Sequence, residues 1–316
     1  MIDCAMVATG VYANRSSGNK INRKLKNKNV PFHGAGDGNM AEAITEKLSA
    51  AVPMEAQVGS VPYMKGGEPL FINMESDVGV LQLHGFTSTP HQFRECSQYF
   101  VKRGYTVYTP LIAGHGTSPR ELAKTTANDW MRSTNEALQF LRRYVKHVFV
   151  IGNSFGGNLA FWLAHKYPGA LTGVVSLGTP IVLRWQRIIY FRVYTYGWLK
   201  EYYRKLGRDY KVDYIDLSDE VSYPVIPVSS LREFLRFIRA TVPALKTVRV
   251  PTLMIQADRD PVVHPKSVQI IHEHLGSDYK KVYWLNGRYH TLPDIDRREE
   301  VFHKVDKFIE ELMTNL

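Results

Sequence analysis

The pattern of hydrophobic and polar positions changes at about residue 61. Residues 1–60 are rich in Asn, Lys, Gly and Ser, and only one stretch in them, Met40 to Ala51, has the periodicity of a helix. Such a composition buries too little apolar surface to order a chain, so it predicts a mobile N-terminal extension. From Val61 onward, apolar runs of strand length alternate with helical patterns.

The alternating region predicts an α/β fold. The predicted strands are VGVLQLHG at 78, YTVYTP at 105, HVFVIG at 147, VVSLGTP at 174, TLMIQAD at 252 and VYWLN at 282. The predicted helices are FRECSQYFVKRG at 93, NDWMRSTNEALQFLRRYVK at 128, FGGNLAFWLAHKYP at 155, and residues 265–275 and 298–315. Strands without regular polar positions are typical of sheets that helices cover on both faces. The pattern therefore predicts a doubly wound, mostly parallel sheet.

One segment interrupts the alternation. About seventy residues separate Pro180 from Val250, where a single helix would suffice to reach the next strand. An excursion of this length predicts a cap inserted over the carboxyl edge of the sheet, where such folds bind their ligands. The predicted organisation is an extension at 1–60, a core at 61–180 and 247–316, and an inserted helical cap at 181–246.

Composition narrows the class of protein. The chain has 316 residues, 44% of them hydrophobic, and two cysteines, Cys4 and Cys96, which are too few for a disulfide framework or a zinc site. No apolar run reaches the ~18 residues of a membrane span, and the N-terminus lacks the charge order of a secretory signal. We expect a cytoplasmic protein without metal or cofactor, with peripheral contact to a membrane as an open alternative.

The formal charge of +10 is concentrated in one internal segment. Residues 184–211 hold eight Lys/Arg against two acids, whereas residues 1–60 hold seven against five. The excess of positive charge therefore belongs to the predicted cap, so it bears on what the cap contacts.

The stretch GNSFGG, residues 152–157, lies between a predicted strand and a predicted helix. A strand, a tight turn and a helix in immediate succession are the setting of a nucleophile elbow, which needs small residues at 152 and 156 to avoid clashes. Gly157 would let the helix pack close to the sheet. In an ordinary turn, Ser154 would instead cap the helix.

A serine hydroxyl becomes a nucleophile when a histidine accepts its proton and a carboxylate orients that histidine. In this fold the expected order along the chain is Ser, acid, His, with the last two after late strands. Asp258 and Asp260 follow TLMIQA, and His290 follows VYWLN. We favour Asp260, which lies further into its loop, and we predict a triad of Ser154, Asp260 and His290.

The developing oxyanion needs backbone N–H donors. One is expected from Phe155, directly after the serine, and one from the loop in LQLHGFTSTP, where Phe86 is the candidate. His115, in AGHGTSP, is interpreted as structural.

With these residues together, the chain resembles the α/β-hydrolase superfamily and, within it, the bacterial monoacylglycerol lipases and related small carboxylesterases. The resemblance lies in GEPLFINMESDVGVLQLHGFTSTPHQFR, YTVYTPLIAGHGTSP, GNSFGGNLA, DRDPVVHP and RYHTLPDID, and it covers residues 61–316. It implies the same triad and oxyanion donors, and substrates that are monoacylglycerols or short to medium acyl esters. The chain departs from the pattern in Asn153 before the serine and in a longer, more aromatic and basic cap.

The predicted cap has eleven aromatic residues between 185 and 223, interleaved with Lys and Arg. Two interpretations stay open: a surface that meets a lipid membrane, or aromatics packed on the core below a solvated basic face. Nucleic-acid binding is disfavoured because a complete catalytic set explains more of the chain.

The hypothesis is a serine hydrolase that cleaves carboxylic esters through an acyl-enzyme. The same triad could serve a thioesterase, a lactonase or a carbon–carbon bond hydrolase, and a non-catalytic ligand binder on this scaffold is the alternative from another class.

Overall fold

The computed structural model describes residues 62–205, 221–290, 292 and 296–316. The predicted extension and its helix at Met40 to Ala51 lie outside the described residues. The strands are β1 Leu70–Ile72, β2 Val78–Leu83, β3 Thr106–Thr109, β4 His147–Asn153, β5 Gly173–Leu177, β6 Tyr202–Arg204, β7 Val225–Pro227, β8 Thr252–Ala257 and β9 Lys280–Leu285.

The helices of the described chain are α1 Arg94–Lys102, α2 Pro119–Ala123, α3 Ala127–Leu141, α4 Phe155–Lys166, α5 Gln186–Phe191, α6 Val228–Leu245, α7 Lys266–His274 and α8 Arg298–Thr314. Short 3₁₀ turns occupy Pro90–Phe93 and Gly197–Leu199, and a π-helical turn spans Arg192–Tyr196. Every strand and helix predicted from Val78 onward is present. None of these described helices is long and apolar enough to cross a bilayer.

Seven of the described strands form one sheet in the order β1-β3-β2-β4-β5-β8-β9. All neighbours pair in parallel except β1, which is antiparallel to β3 at the edge. The doubly wound, mostly parallel sheet predicted from the sequence is thus confirmed. Successive strands diverge to opposite sides of β2, so the carboxyl ends of β2 and β4 border the crevice where this class of sheet binds ligands.

Two apolar layers cover the sheet. On one face α1 and α8 pack against alternate strand residues such as Phe149 and Ile151, and on the other α3, α4, α6 and α7 pack against Val148 and Val150. Strands β2, β5 and β8 are buried along their whole length. The sequence lacks polar alternation in these strands because neither face meets water.

The segment after β5 contains α5, the π and 3₁₀ turns, the β6–β7 hairpin and α6. Helix α6 buries nine residues and packs on α4. Residues 206–220 of this segment lie outside the described chain.

Candidate active site

Ser154 stands in a strained turn between β4 and α4. Its backbone has φ 52° and ψ −119°, a region that residues with a side chain rarely adopt. Although Ser154 occupies the N-cap position, its side chain makes no capping hydrogen bond. The Ser154 hydroxyl therefore does not cap α4, in contrast to the serine of an ordinary strand-to-helix turn.

Close backbone packing explains the glycines of the turn. A Cβ at position 156 would lie 1.9 Å from the carbonyl oxygen of Leu83, and one at position 152 would lie 2.4 Å from the carbonyl carbon of Gly156. Both distances are far inside van der Waals contact, which agrees with the requirement for small residues. At Gly157 the close neighbour is the side chain of Thr179 in the loop after β5, rather than the sheet itself.

Asp260 and His290 form a hydrogen-bonded pair. Oδ2 of Asp260 lies 3.0 Å from Nδ1 of His290. The other carboxylate oxygen accepts the N–H groups of Val262 and Val263, each at 2.8 Å, and Gln256 Nε2 donates to Oδ2 at 3.2 Å. The aspartate is 1% exposed. These donors fix the carboxylate so that one oxygen faces the imidazole.

The end of β5 brings the three predicted residues to one place. The N–H of Ser154 donates to the carbonyl of Leu177 at 2.7 Å. At the next residue, a Cβ on Gly178 would lie 3.4 Å from Oδ2 of Asp260 and 3.3 Å from the carbonyl oxygen of His290. Thus residues that follow β4, β8 and β9 converge on two consecutive residues at the carboxyl edge.

Asp258, the other aspartate considered, has a different environment. Its side chain is 47% exposed, and its Oδ1 accepts the N–H of Gly287 at 2.8 Å. This backbone hydrogen bond is the main reason that the pKa of Asp258 lies below its usual value. Asp258 supports the turn after β9, whereas Asp260 is the carboxylate beside His290.

The loop after β2 lies against the serine. A Cβ on Gly85 would lie 3.6 Å from Cβ of Ser154. The buried His84 holds this loop, because its Nδ1 bonds the carbonyl of Gly85 at 3.0 Å and its Nε2 accepts the N–H of Ile112 at 3.1 Å. Phe86 is the next residue. Phe155 begins α4, and N–H groups in the first turn of a helix have no partner within the helix.

Aromatic rings line the interior beside these two phenylalanines. The Phe86 ring stacks on Phe234 of α6 with centroids 4.5 Å apart and meets Phe155 edge-on at 5.8 Å. Trp130 and His115 complete the cluster. His115 is buried and its Nδ1 lies 3.1 Å from the carbonyl of Ala113, as expected for a histidine that supports its own loop.

Two parts of the long segment after β5 hold loops of the site. At its start, Leu183 forms an antiparallel bridge with Val263, and Nε of Arg184 donates to the carbonyl of Asp260. Further along, just before β7, the N–H of Tyr223 donates to the carbonyl of Thr87 at 2.9 Å. The Tyr223 hydroxyl accepts the N–H of Thr117 at 2.8 Å and donates to the carbonyl of Gly114 at 2.9 Å.

Sequence reasoning missed Gln256, Arg184, His84 and Tyr223 as supports of the site. One signal was present, since a glutamine inside the apolar run TLMIQA is a polar group in a strand buried on both faces. The roles of Arg184 and Tyr223 depend on contacts across the fold that no local pattern encodes.

Acidification is expected to weaken folding through the buried histidines. Burial lowers the pKa of His84 from 6.5 to about 4 and also lowers the pKa of His115. Between pH 6.5 and about 4, His84 binds a proton in the unfolded chain but not in the folded chain. The free energy of unfolding therefore falls as the pH falls. The shift at His84 corresponds to about 3 kcal/mol.

Urea unfolding at a series of pH values measures this loss. A His84→Gln variant cannot titrate at this position, so its free energy of unfolding should vary less across the same window. A wild-type value that stays constant between pH 6.5 and about 4 would contradict the expectation.

Comparison with known proteins places this geometry in context. The family model Hydrolase_4, described as serine aminopeptidase S33, matches residues 75–296. A thermostable monoacylglycerol lipase from Bacillus sp. (strain H-257) is 32% identical over 230 residues, which cover 73% of this chain and 89% of that protein. A carboxylesterase from Bacillus subtilis (strain 168) is 26% identical over 237 residues, covering 75% of this chain and 94% of the relative.

The fold also has a similar solved structure. One of the metagenome-derived lipolytic enzymes LipS and LipT superimposes with a TM-score of 0.73 at 30% sequence identity, covering 79% of this chain and the whole of that one.

Proposed function

Because the chain belongs to the Hydrolase_4 family of α/β-hydrolases and is a carboxylic ester hydrolase, we propose that Ser154, His290 and Asp260 are its catalytic triad. Ser154 is the nucleophile, His290 the general base and Asp260 the group that orients His290. The backbone N–H groups of Phe86 and Phe155 are the proposed oxyanion donors.

The observation that supports the triad best is the convergence at the end of β5. The Asp260–His290 pair lies against Gly178, and the preceding residue, Leu177, bonds the backbone of Ser154. A buried carboxylate with its second oxygen committed to two backbone N–H groups has one oxygen left for an imidazole. The strained turn, without a capping bond, leaves the serine hydroxyl for chemistry.

The proposed reaction proceeds in two halves. His290 accepts the Ser154 proton as the serine oxygen attacks the ester carbonyl, and the two N–H donors stabilise the oxyanion of the tetrahedral intermediate. His290 then gives that proton to the departing alkoxide, which leaves the acyl group on Ser154. Water, deprotonated by His290, attacks the acyl-enzyme; the carboxylic acid leaves and Ser154 regains a proton.

The proposed substrates are monoacylglycerols and short- to medium-chain acyl esters. The support is the names of the bacterial relatives and the aromatic rings of Phe86, Phe155 and Phe234 at the site. In this proposal residues 61–180 and 247–316 form the catalytic core, and residues 181–246 form the cap above it.

The description of the family model names a peptidase, which is the competing activity. An aminopeptidase must bind the α-ammonium group of its substrate, and carboxylates serve that purpose best. Residues 184–205 start beside the Asp260 loop, because Arg184 contacts the carbonyl of Asp260. They carry six Lys/Arg and a single acid, Glu201. This charge disfavours a cationic substrate and favours neutral or anionic esters.

A substrate profile tests the proposal. We expect turnover of p-nitrophenyl esters of short and medium acyl chains and of a monoacylglycerol, with an aminoacyl p-nitroanilide at the background of the Ser154→Ala variant. A thioester and a lactone in the same panel report the related bond classes. Preference for the anilide, or no ester hydrolysis by a folded protein that a fluorophosphonate labels, would refute the ester assignment.

A further inference from the structure

Exposed apolar side chains are concentrated in one segment of the described chain. Seven of the large hydrophobic residues that are exposed there lie between positions 185 and 199: Trp185, Ile188, Phe191, Tyr194, Tyr196, Trp198 and Leu199. We call these seven residues the aromatic patch. Trp185 and Trp198 are each 75% exposed. A patch of this kind on an otherwise polar surface marks an interaction site.

Backbone anchors hold the patch outward. Val193, in the π-helical turn, is buried in the core, and Arg232 of α6 donates to its carbonyl at 3.2 Å. The Tyr203 hydroxyl donates to the carbonyl of Arg192 at 2.9 Å, and the Arg192 guanidinium lies over the Tyr203 ring. These contacts of the inward-facing residues anchor the segment, and at its surface the rings of Phe191 and Tyr196 meet edge-on with centroids 5.7 Å apart.

Both interpretations of the cap aromatics find residues that fit them. Tyr190 and Tyr203 pack against the core and Tyr223 is buried, as the packing interpretation expects. Five of the eleven aromatics (Trp185, Phe191, Tyr194, Tyr196 and Trp198) are exposed instead. Tyr202 is half-buried, and Tyr210 and Tyr214 lie outside the described residues.

Positive charge surrounds the patch. Within residues 184–205, Lys and Arg alternate with the apolar positions, and Arg187, Arg192, Lys200 and Arg204 are exposed. Rings and aliphatic side chains at the depth of the acyl boundary, with cations at the level of the headgroups, are the composition of an interfacial segment. Each such cation near an anionic surface adds to the electrostatic attraction.

We propose that the aromatic patch docks on the surface of an anionic lipid membrane. The docking supplies lipid esters to the site described above, and only this delivery step rests on the proposed function. The patch adjoins that site, because Trp185 follows Arg184, whose Nε donates to the carbonyl of Asp260. Val262, in the same loop as Asp260, is a further exposed apolar residue.

A second copy of this chain fits the patch less well. In a two-fold dimer the same surface meets itself, so the arginines and lysines of the two copies would face one another. A nucleic acid would satisfy the cations and stack on the rings, but Ile188 and Leu199 offer no stacking face. A membrane complements both the charge and the aliphatic positions.

Vesicle sedimentation in the Ser154→Ala background tests the proposal without hydrolysis of the lipid. We expect binding to mixed phosphatidylcholine–phosphatidylglycerol vesicles that weakens at high salt, and weaker binding to phosphatidylcholine alone. The affinity of the double variant Trp185→Asn/Trp198→Ser for these vesicles should be at least about tenfold lower. Asn is chosen at 185 because that residue has left-handed backbone, φ 58°.

Trp284→Ser is the matched control, since Trp284 is an exposed tryptophan on the edge strand β9 and not part of the aromatic patch. Its vesicle binding should equal that of the parent. Arg187→Glu/Lys200→Glu should abolish the preference for anionic vesicles, whereas Arg142→Glu/Lys166→Glu, at the carboxyl ends of α3 and α4, should retain it.

Hydrolysis of a soluble p-nitrophenyl ester separates the two proposals. It is measured with patch variants that retain the wild-type Ser154. If the patch variants lose vesicle binding and keep this activity, the docking proposal is supported independently. Absence of vesicle binding by the parent, a patch-dependent dimer without vesicle binding, or salt-sensitive binding to an oligonucleotide alone would overturn it. Vesicle binding without any ester hydrolysis would retain the docking and refute the proposed function.

Discussion

Ser154→Ala should lower kcat/KM for a p-nitrophenyl ester by about ten-thousandfold or more, because in the proposed mechanism the acyl-enzyme forms on this hydroxyl. The same variant should no longer react with a fluorophosphonate. Its thermal midpoint should stay near that of the wild type, since the Ser154 side chain makes no capping hydrogen bond that the substitution could remove.

Ser229→Ala is the control for this experiment. Ser229 is exposed on α6, and its hydroxyl donates to the carbonyl of Ala123 at 3.3 Å. This variant should retain both hydrolysis and labelling. Labelling of Ser154→Ala to the wild-type extent would show that another residue is the nucleophile.

Asp260→Asn should reduce kcat by about a thousandfold to ten-thousandfold through the tautomer of His290. The amide oxygen would occupy the place that accepts the N–H groups of Val262 and Val263, so the amide nitrogen would face His290. Nδ1 would then accept rather than donate a hydrogen bond, which puts the proton on Nε2. A histidine protonated at Nε2 cannot accept the proton of the serine.

Asp258→Asn is the matched control two residues away. It changes the hydrogen bond to Gly287 at the surface and leaves the Asp260–His290 pair untouched, so its kcat should fall by less than about tenfold. Steady-state kinetics with circular dichroism of each variant measures the contrast. Equal losses in the two variants would disprove the assignment of the acid to Asp260.

The central strands and the chain order of the site could be predicted because both are local properties of the sequence. The apolar runs of β4 and β8 predict strands that are buried on both faces. In a parallel sheet, the residues that follow such strands lie at the same edge. The edge strand β1, three residues long and antiparallel, has no pattern long enough to recognise.

Loop position alone favours Asp260 over Asp258 in the sequence, and the structure adds the physical difference between their environments. Asp258 and Asp260 follow the same strand, and no periodicity separates them. Their environments diverge because the N–H groups of Val262 and Val263 turn back onto Asp260, while the N–H of Gly287 reaches Asp258. For the same reason the sequence could not sort the cap aromatics, since a ring at position 190 packs inward and one at 191 is exposed.

Two anchors in the long segment after β5 set the limits of what could be exchanged in a chimaera. Arg184 and Tyr223 hold the loops that contain Asp260 and Thr87. Helix α6, which follows, contributes Phe234 to the ring cluster. Among the described residues 185–205, none makes one of these contacts. A graft from a relative that replaced only this stretch should therefore leave the candidate site of the recipient in place.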